Sequence, residues 1–162
     1  MPREQDQFLD VVDRDTAERR WQGALRPERL EREEVALDAA LGRVLAVDVV
    51  SSVDVPAFDR SNVDGFALRA EDTFGASEES PRQVTIRGEE VAAGVVPQHV
   101  VVRGVAMTIA TGGMLPRGAD AVLMVEHARS VGDTLLVLRP VVPGANVSYA
   151  GTDIALGETV LR

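Results

Sequence analysis

The sequence predicts a mixed, mainly β fold, with helices at the N-terminal end and then a small barrel or sandwich of short strands. Three observations carry this expectation. Valine is abundant from about residue 44 onward, and β-branched residues favour strands. Short apolar runs recur at regular spacing between turn residues, the pattern of a small barrel or sandwich. Before residue 46, apolar residues instead recur three and four apart, the helical period.

Residues 1–14 are charged and lack a clear period. A helix is expected from Asp15-Thr16, either of which can cap it, with Ala17, Trp21, Ala24 and Leu25 at helical spacing. Trp21, the only tryptophan, is expected to anchor that helix on a core or a partner. Pro27 ends the helix or opens a new segment. A second amphipathic helix is expected where Leu37, Leu41, Val44 and Leu45 fall at i, i+4, i+7 and i+8. Asp38 suits its first turn, and Gly42 weakens it mildly. Strands are expected at 47–50, 84–86, 100–102, 106–110, 121–125 and 134–138. The continuous run Ala121-Val122-Leu123-Met124-Val125 suits a strand covered on both faces. Gly132-Asp133 between apolar runs signals a hairpin. Residues 71–83 are polar and expected to form an exposed loop.

The chain has 162 residues, of which 45% are hydrophobic and only 4% aromatic, so the core must be built from Val, Leu and Ala. Its net charge of -9 argues against nucleic-acid binding, which needs Lys and Arg to neutralise phosphates. An anionic ligand would need a local positive pocket or a metal ion. Cysteine is absent, which excludes disulfides, thiolate nucleophiles and Cys-based zinc sites. His99 and His127 cannot make a zinc site unaided. No apolar run approaches the ~20 residues of a membrane span, and the expected setting is cytoplasmic. The last residues read as the opening of a strand, from which a longer polypeptide is expected.

Three stretches can carry chemistry. The first is Val-Pro-Ala-Phe-Asp-Arg-Ser-Asn-Val-Asp-Gly-Phe-Ala-Leu-Arg at 55–69. Its bland reading is a pair of tight turns, with Asp59 and Asn62 accepting backbone N–H bonds and Gly65 supplying a positive φ. Its functional reading is a carboxylate site for a hard cation such as Mg²⁺, which takes one or two carboxylates plus ligand phosphates. A calcium loop aligned on Gly65 would use Asn62, Asp64 and Glu71, but Arg60 then occupies the first liganding position and repels the ion. The second stretch is Ala-Thr-Gly-Gly-Met-Leu-Pro-Arg-Gly-Ala-Asp at 110–120. Thr111 offers a hydroxyl, and Gly112 and Gly113 are expected to leave N–H groups open to a ligand oxygen; the alternative is a simple strand-to-turn loop. The third is Pro-Gly-Ala-Asn-Val-Ser-Tyr-Ala-Gly-Thr-Asp-Ile at 143–154, either a loop with a packed Tyr149 or part of a site.

Taken together and in order, these stretches resemble the N-terminal half of the molybdopterin molybdenumtransferase family (MoeA, with the gephyrin E domain as its animal relative). The Pro-x-Phe-Asp-x-Ser-x-x-Asp-Gly-Phe-Ala-x-Arg loop is followed by Thr-Gly-Gly-x-Leu-Pro-x-Gly-Ala-Asp-Ala-Val, Val-Glu at 125–126, Pro-Gly-x-Asn-Val and Gly-Thr-Asp-Ile-Ala-x-Gly-Glu. Upstream, Ala-Leu-Gly-Arg-Val-Leu-Ala-Val-Asp-Val also fits. The resemblance implies insertion of molybdate into adenylylated molybdopterin with release of AMP, a divalent cation such as Mg²⁺, and homodimers. It implies a helical and extended linker segment over 1–50, a small β-barrel-like domain over 51–140 and a return to the linker over 141–162. The molybdopterin-binding α/β domain does not appear, so the chain is expected to be inactive alone. Asp64 and Thr111 match the aspartate and threonine of family site motifs and are expected to be catalytic, Asp64 also as a metal ligand. Asp59, Ser61, Gly112, Gly113 and Ser148 are expected to bind ligand.

The chain departs from the family pattern. Arg60 and Phe66 replace the commoner Asn and Tyr of the first loop, and Ser148, Tyr149 and Ala150 replace a run of Arg suited to anions. Arg60 is placed to replace that run in part. These departures motivate an alternative expectation, a stand-alone dimeric binding or scaffold module that has lost the chemistry. A small Mg²⁺-dependent hydrolase using Asp59 and Asp64 is a third.

Overall fold

The computed structural model describes residues 11–26 and 28–162, so the expectations for residues 1–10 and Pro27 fall outside the described residues. The chain divides between Ala46 and Val47 into two units.

In the first unit, α1 (Arg14–Leu25) is capped by Asp13, just ahead of the Asp15-Thr16 pair expected from the sequence. Its carboxylate accepts from the Thr16 amide at 2.8 Å and the Thr16 hydroxyl at 2.9 Å, satisfying an N–H that the helix cannot. Arg26 closes the helix in the left-handed conformation, its N–H returning to the Gln22 carbonyl. No residue of α1 is buried, and Trp21 is 66% exposed, so this tryptophan is not anchored in a core of the described residues.

The second expected helix does not form. Leu37–Ala39 makes a single 3₁₀ turn, and Gly42 follows at φ 81. Leu37, Leu41 and Val44 stand 92%, 96% and 94% exposed. A helix this short is marginal in water unless its apolar stripe packs on something, and none of the described residues covers this stripe.

The second unit opens and closes on a two-stranded ribbon. β1 (Val49–Val50) pairs antiparallel with the last strand, Val49 opposite Leu161 and Val50 opposite Thr159. The pairing extends through Ser51 N–H to the Glu158 carbonyl and Val55 N–H to the Ile154 carbonyl, both at 2.8 Å. Within the unit the strands are β2 (Arg60–Ser61), β3 (Gly65–Leu68), β4 (Arg82–Ile86), β5 (Val105–Ile109), β6 (Ala121–Met124), β7 (Ala128–Val131), β8 (Thr134–Val137), β9 (Val147–Ser148) and β10 (Thr159–Leu161). Six of them form one sheet, ordered β6-β3-β5-β4-β8-β7, curled as a half barrel. Neighbours are antiparallel except β4 and β5. The barrel-like expectation is thus met in its coarse form, with one helix where two were expected.

Successive strand residues face opposite sides, and both sides of this sheet are covered. Phe66 and Leu68 join Val84, Ala106, Leu123, Leu135 and Val137 in one core. Ala67 joins Val91, Val101, Met107, Ile109 and Val122 in another. This is why β6 reads as a continuous apolar run. The expected strand at 100–102 is absent: Val101 alone is buried there, and its N–H is donated to the Arg117 carbonyl at 2.9 Å. The segment after β3 is less exposed than its polarity suggests. Ala70–Thr73 is a 3₁₀ turn, and Thr73 is fully buried with its hydroxyl donating to the Ala70 carbonyl and accepting from the Val141 amide. Among the described residues no helix is long and apolar enough to cross a membrane.

Candidate functional site

The three sequence stretches converge on β2. On one side β2 pairs with β9, Arg60 opposite Ser148 and Ser61 opposite Val147. On its other side Arg60 bridges Met114, the Ser61 amide donates to the Gly113 carbonyl at 2.9 Å, and the Gly112 amide donates to the Ser61 carbonyl at 2.8 Å. Residues 59–64, 111–114 and 145–151 therefore lie side by side.

Side chains bind the segments further. Asp64 Oδ1 accepts from both the Thr111 amide at 2.7 Å and the Thr111 hydroxyl at 2.9 Å. These two bonds, the amide first, hold the Asp64 carboxyl below its ordinary pKa of 3.8, so at neutral pH it is an exposed carboxylate with a fixed oxygen. Asp59 Oδ1 accepts the Ala150 amide at 2.9 Å and fastens the third segment. Ser148 Oγ donates to Asn62 Oδ1 at 2.6 Å. Ser61 is buried, and its hydroxyl donates to the Val63 carbonyl, holding its own turn.

Two glycine expectations are corrected. The amides of Gly112 and Gly113, expected to be open, are donated to the carbonyls of Ser61 and Ala110. Gly113 is required by packing instead: a Cβ there would sit 2.5 Å from the Val91 carbonyl oxygen. Gly65 has no positive φ; it begins β3, where a Cβ would meet the Leu123 carbonyl oxygen at 2.0 Å. The calcium-loop alignment also fails, because β3 runs between Asp64 and Glu71 and keeps them out of a single loop.

Two contributors escaped the sequence reading. Asn146, left-handed at φ 58, donates its side-chain amide to the Val122 carbonyl at 2.8 Å and accepts the Asn62 amide at its own carbonyl, docking the third segment on β6. The loop from Gly88 to His99 backs the Thr111 turn, with the Ala110 amide bonded to the Val91 carbonyl. That loop is clasped by Glu89, whose carboxylate accepts the amides of Gln98 and His99 and pairs with the His99 ring. His99 is exposed but engaged in that clasp.

Among the described residues no group of three or more His, Cys, Asp or Glu is placed to hold a metal ion. Each carboxylate of the cluster has its Oδ1 engaged, but Asp59 is half-buried and Asp64 exposed, which makes Asp64 the carboxylate more suited to a cation. A hard cation bound by one carboxylate needs ligand phosphate oxygens to complete its shell, and the site fits Mg²⁺ on that condition.

Comparison with known proteins gives a consistent picture. A family model described as the MoeA N-terminal region (domain I and II) matches residues 12–162. The molybdopterin molybdenumtransferase of Staphylococcus aureus strain MSSA476 is 37% identical over 128 residues, covering 79% of this chain and 30% of the relative. That of Staphylococcus epidermidis strain ATCC 35984 is 36% identical over the same length. The crystal structure of the molybdopterin biosynthesis moeA protein from Pyrococcus horikoshii OT3 superposes with a TM-score of 0.75 at 49% identity, over 80% of this chain and 34% of that one. The chain thus spans about a third of the length of these relatives.

Proposed function

The chain belongs to the MoeA N-terminal region family, and from that premise we propose that it forms one wall of a molybdenumtransferase site. The reaction is insertion of molybdate into adenylylated molybdopterin with release of AMP. A molybdopterin-binding domain outside this chain supplies the opposite wall, so the isolated chain is inactive. The observation that carries this reading is the junction of Asp64 with Thr111, which joins residues 47 apart at one exposed carboxylate oxygen.

Thr111 fixes the Asp64 carboxylate, and the bonds keep it ionised. The fixed carboxylate orients the bound metalate or its water, and Thr111 keeps the turn in register with it. Asp64, together with substrate phosphates, would hold Mg²⁺, which would supply positive charge at the pyrophosphate link. Asp59, Ser61, Gly112 and Gly113 act in this reading by holding the three segments together, and Ser148 contributes a half-buried hydroxyl bonded to Asn62. The exposed side chains of Leu37, Leu41 and Val44 support a homodimer in which they are covered. The same reading keeps the linker, barrel-like and return segments at 1–50, 51–140 and 141–162, in a cytoplasmic protein.

The test is AMP release from adenylylated molybdopterin with molybdate, by a protein joining this chain to a molybdopterin-binding domain. Asp64→Asn and Thr111→Val are each expected to slow release by roughly 10²–10³-fold, the usual loss when a preorganised polar group is removed. A rate unchanged in both would refute the assigned roles.

A further inference from the structure

We propose that Arg60, with Ser148 and Asn62, forms a subsite for a tetrahedral oxyanion, phosphate or molybdate. The proposal rests on the transferase reading only for the source of that anion.

The β2–β9 register sets Arg60 directly opposite Ser148, so their side chains leave the same face with Cβ atoms roughly 5 Å apart. Asn62, two residues along from Arg60, shares that face, and its carbonyl oxygen takes the Ser148 hydroxyl hydrogen. The result is a guanidinium, a hydroxyl and a carboxamide within one patch. Across 59–64, 111–114 and 145–151, Arg60 is the only Lys, Arg or His. The chain carries a net charge of -9, and Asp59 and Asp64 stand in the same cluster, so Arg60 is the one cation these three segments offer an approaching anion.

At each carboxylate one oxygen is already occupied by donors. Asp59 takes the Ala150 amide and Asp64 takes the two groups of Thr111. The guanidinium is not so engaged. Its charged partner is Asp153 at 3.7 Å, beyond hydrogen-bond length, with the arginine side chain 42% exposed and the aspartate 60%. Five N–H donors in a planar fork match the paired oxygens of phosphate or molybdate, and a guanidinium is weakly hydrated enough to exchange one partner for another. The anion therefore displaces Asp153, which acts as a resident competitor.

The test uses this chain, ¹⁵N-labelled, with inorganic phosphate and sodium molybdate titrated separately at low salt. Saturable shifts are expected at the Asn62 and Ser148 amides and the Arg60 Nε–H for at least one ion. A response to phosphate alone assigns a phosphate-bearing ligand, to molybdate alone the metalate, and competition between them a shared subsite. Arg60→Ala is expected to weaken binding by about tenfold or more, and Arg60→Lys by less, since it keeps charge but not the fork. Asp153→Asn is expected to tighten binding several-fold, whereas Asp133→Asn, the same charge change in the β7–β8 turn, leaves it unchanged. Amide spectra of each variant confirm that it folds, and the Lys variant keeps the test open should the Ala variant not. Absence of saturable shifts for both ions, shifts indifferent to Arg60, or equal effects of Asp153→Asn and Asp133→Asn would each overturn the subsite. If binding follows Arg60 while Asp64→Asn leaves AMP release unchanged, the subsite stands and the transferase reading falls. If binding ignores Arg60 while Asp64→Asn slows AMP release, the subsite falls and the transferase reading stands.

Discussion

Replacing Gly65 by alanine puts the packing of β3 against β6 to a direct test. The new Cβ would lie 2.0 Å from the Leu123 carbonyl oxygen, 2.9 Å from its carbonyl carbon and 3.2 Å from Met124 Cα. Ordinary nonbonded separation is about 3.5 Å, so the strands must part by roughly 1.5 Å at that rung. All three obstructing atoms are backbone, and no rotamer change relieves them. β3 is also held on its other edge by β5, with Gly65 opposite Ile109, so it cannot retreat without loosening a second ladder. Overpacking typically costs about 1–3 kcal/mol, and each weakened ladder bond adds roughly 1 kcal/mol. A loss of about 3–4 kcal/mol follows, a large part of the ~5–15 kcal/mol that holds a domain folded. With a urea slope of about 2 kcal/mol per molar, the unfolding midpoint falls by roughly 1.5–2 M. The assay is urea unfolding followed by far-UV circular dichroism. Gly132→Ala is the control: its φ of 59 imposes backbone strain of about 1 kcal/mol, but a Cβ there meets nothing within 4 Å. A Gly65→Ala variant that loses no more than this control would refute the reasoning.

Three further outcomes are expected. The Asp64 carboxyl, lowered in the folded chain, contributes stability that is fully present above pH 3.8 and lost as pH falls through its lower folded value. Carboxyl NMR should show that low midpoint, and Thr111→Val should return it only part of the way, because the amide bond is the larger cause. Glu89, pushed down to about 2 chiefly by the Gln98 amide, should keep the Gly88–His99 loop clasped from neutral pH to well below 4.5. Glu89→Gln should speed hydrogen exchange at the Gln98 amide with β6 unaffected. Thr73→Val keeps shape but leaves the Val141 amide without its acceptor, at a cost of about 1–3 kcal/mol, read as a lower Tm in a thermal melt.

The strands that were legible are those whose pattern is local. β6 announces itself as a run buried on both faces, and the β7–β8 hairpin by Gly132-Asp133. The three polar stretches were legible as one site through their order, and β2 is where they meet. What escaped depends on partners distant in sequence. Gly65 looked like a turn glycine because its neighbours are turn residues, yet its requirement comes from Leu123 across the sheet. Gly112 looked like part of an open cradle because nothing local shows that Ser61 takes its hydrogen. The stripe at Leu37, Leu41 and Val44 has helical spacing, but spacing does not provide a surface to pack on. Asn146 carried a signal that could have found it, the Gly-Ala-Asn turn, since asparagine tolerates a left-handed backbone.

The ribbon of β1 and β10 brings the start and finish of the second unit to one place, with Val49 beside Leu161. A load applied between those two ends would fall on the ribbon's hydrogen bonds one after another, as in a zipper, and not on all of them at once. Peeling would run from Val50 and Thr159 to Val55 and Ile154, and then to the Gly151 amide on the Pro56 carbonyl. Asp59 and Ala150 lie just beyond that last rung, so tension on the flanking chain is absorbed by the ribbon before it reaches the carboxylate loop.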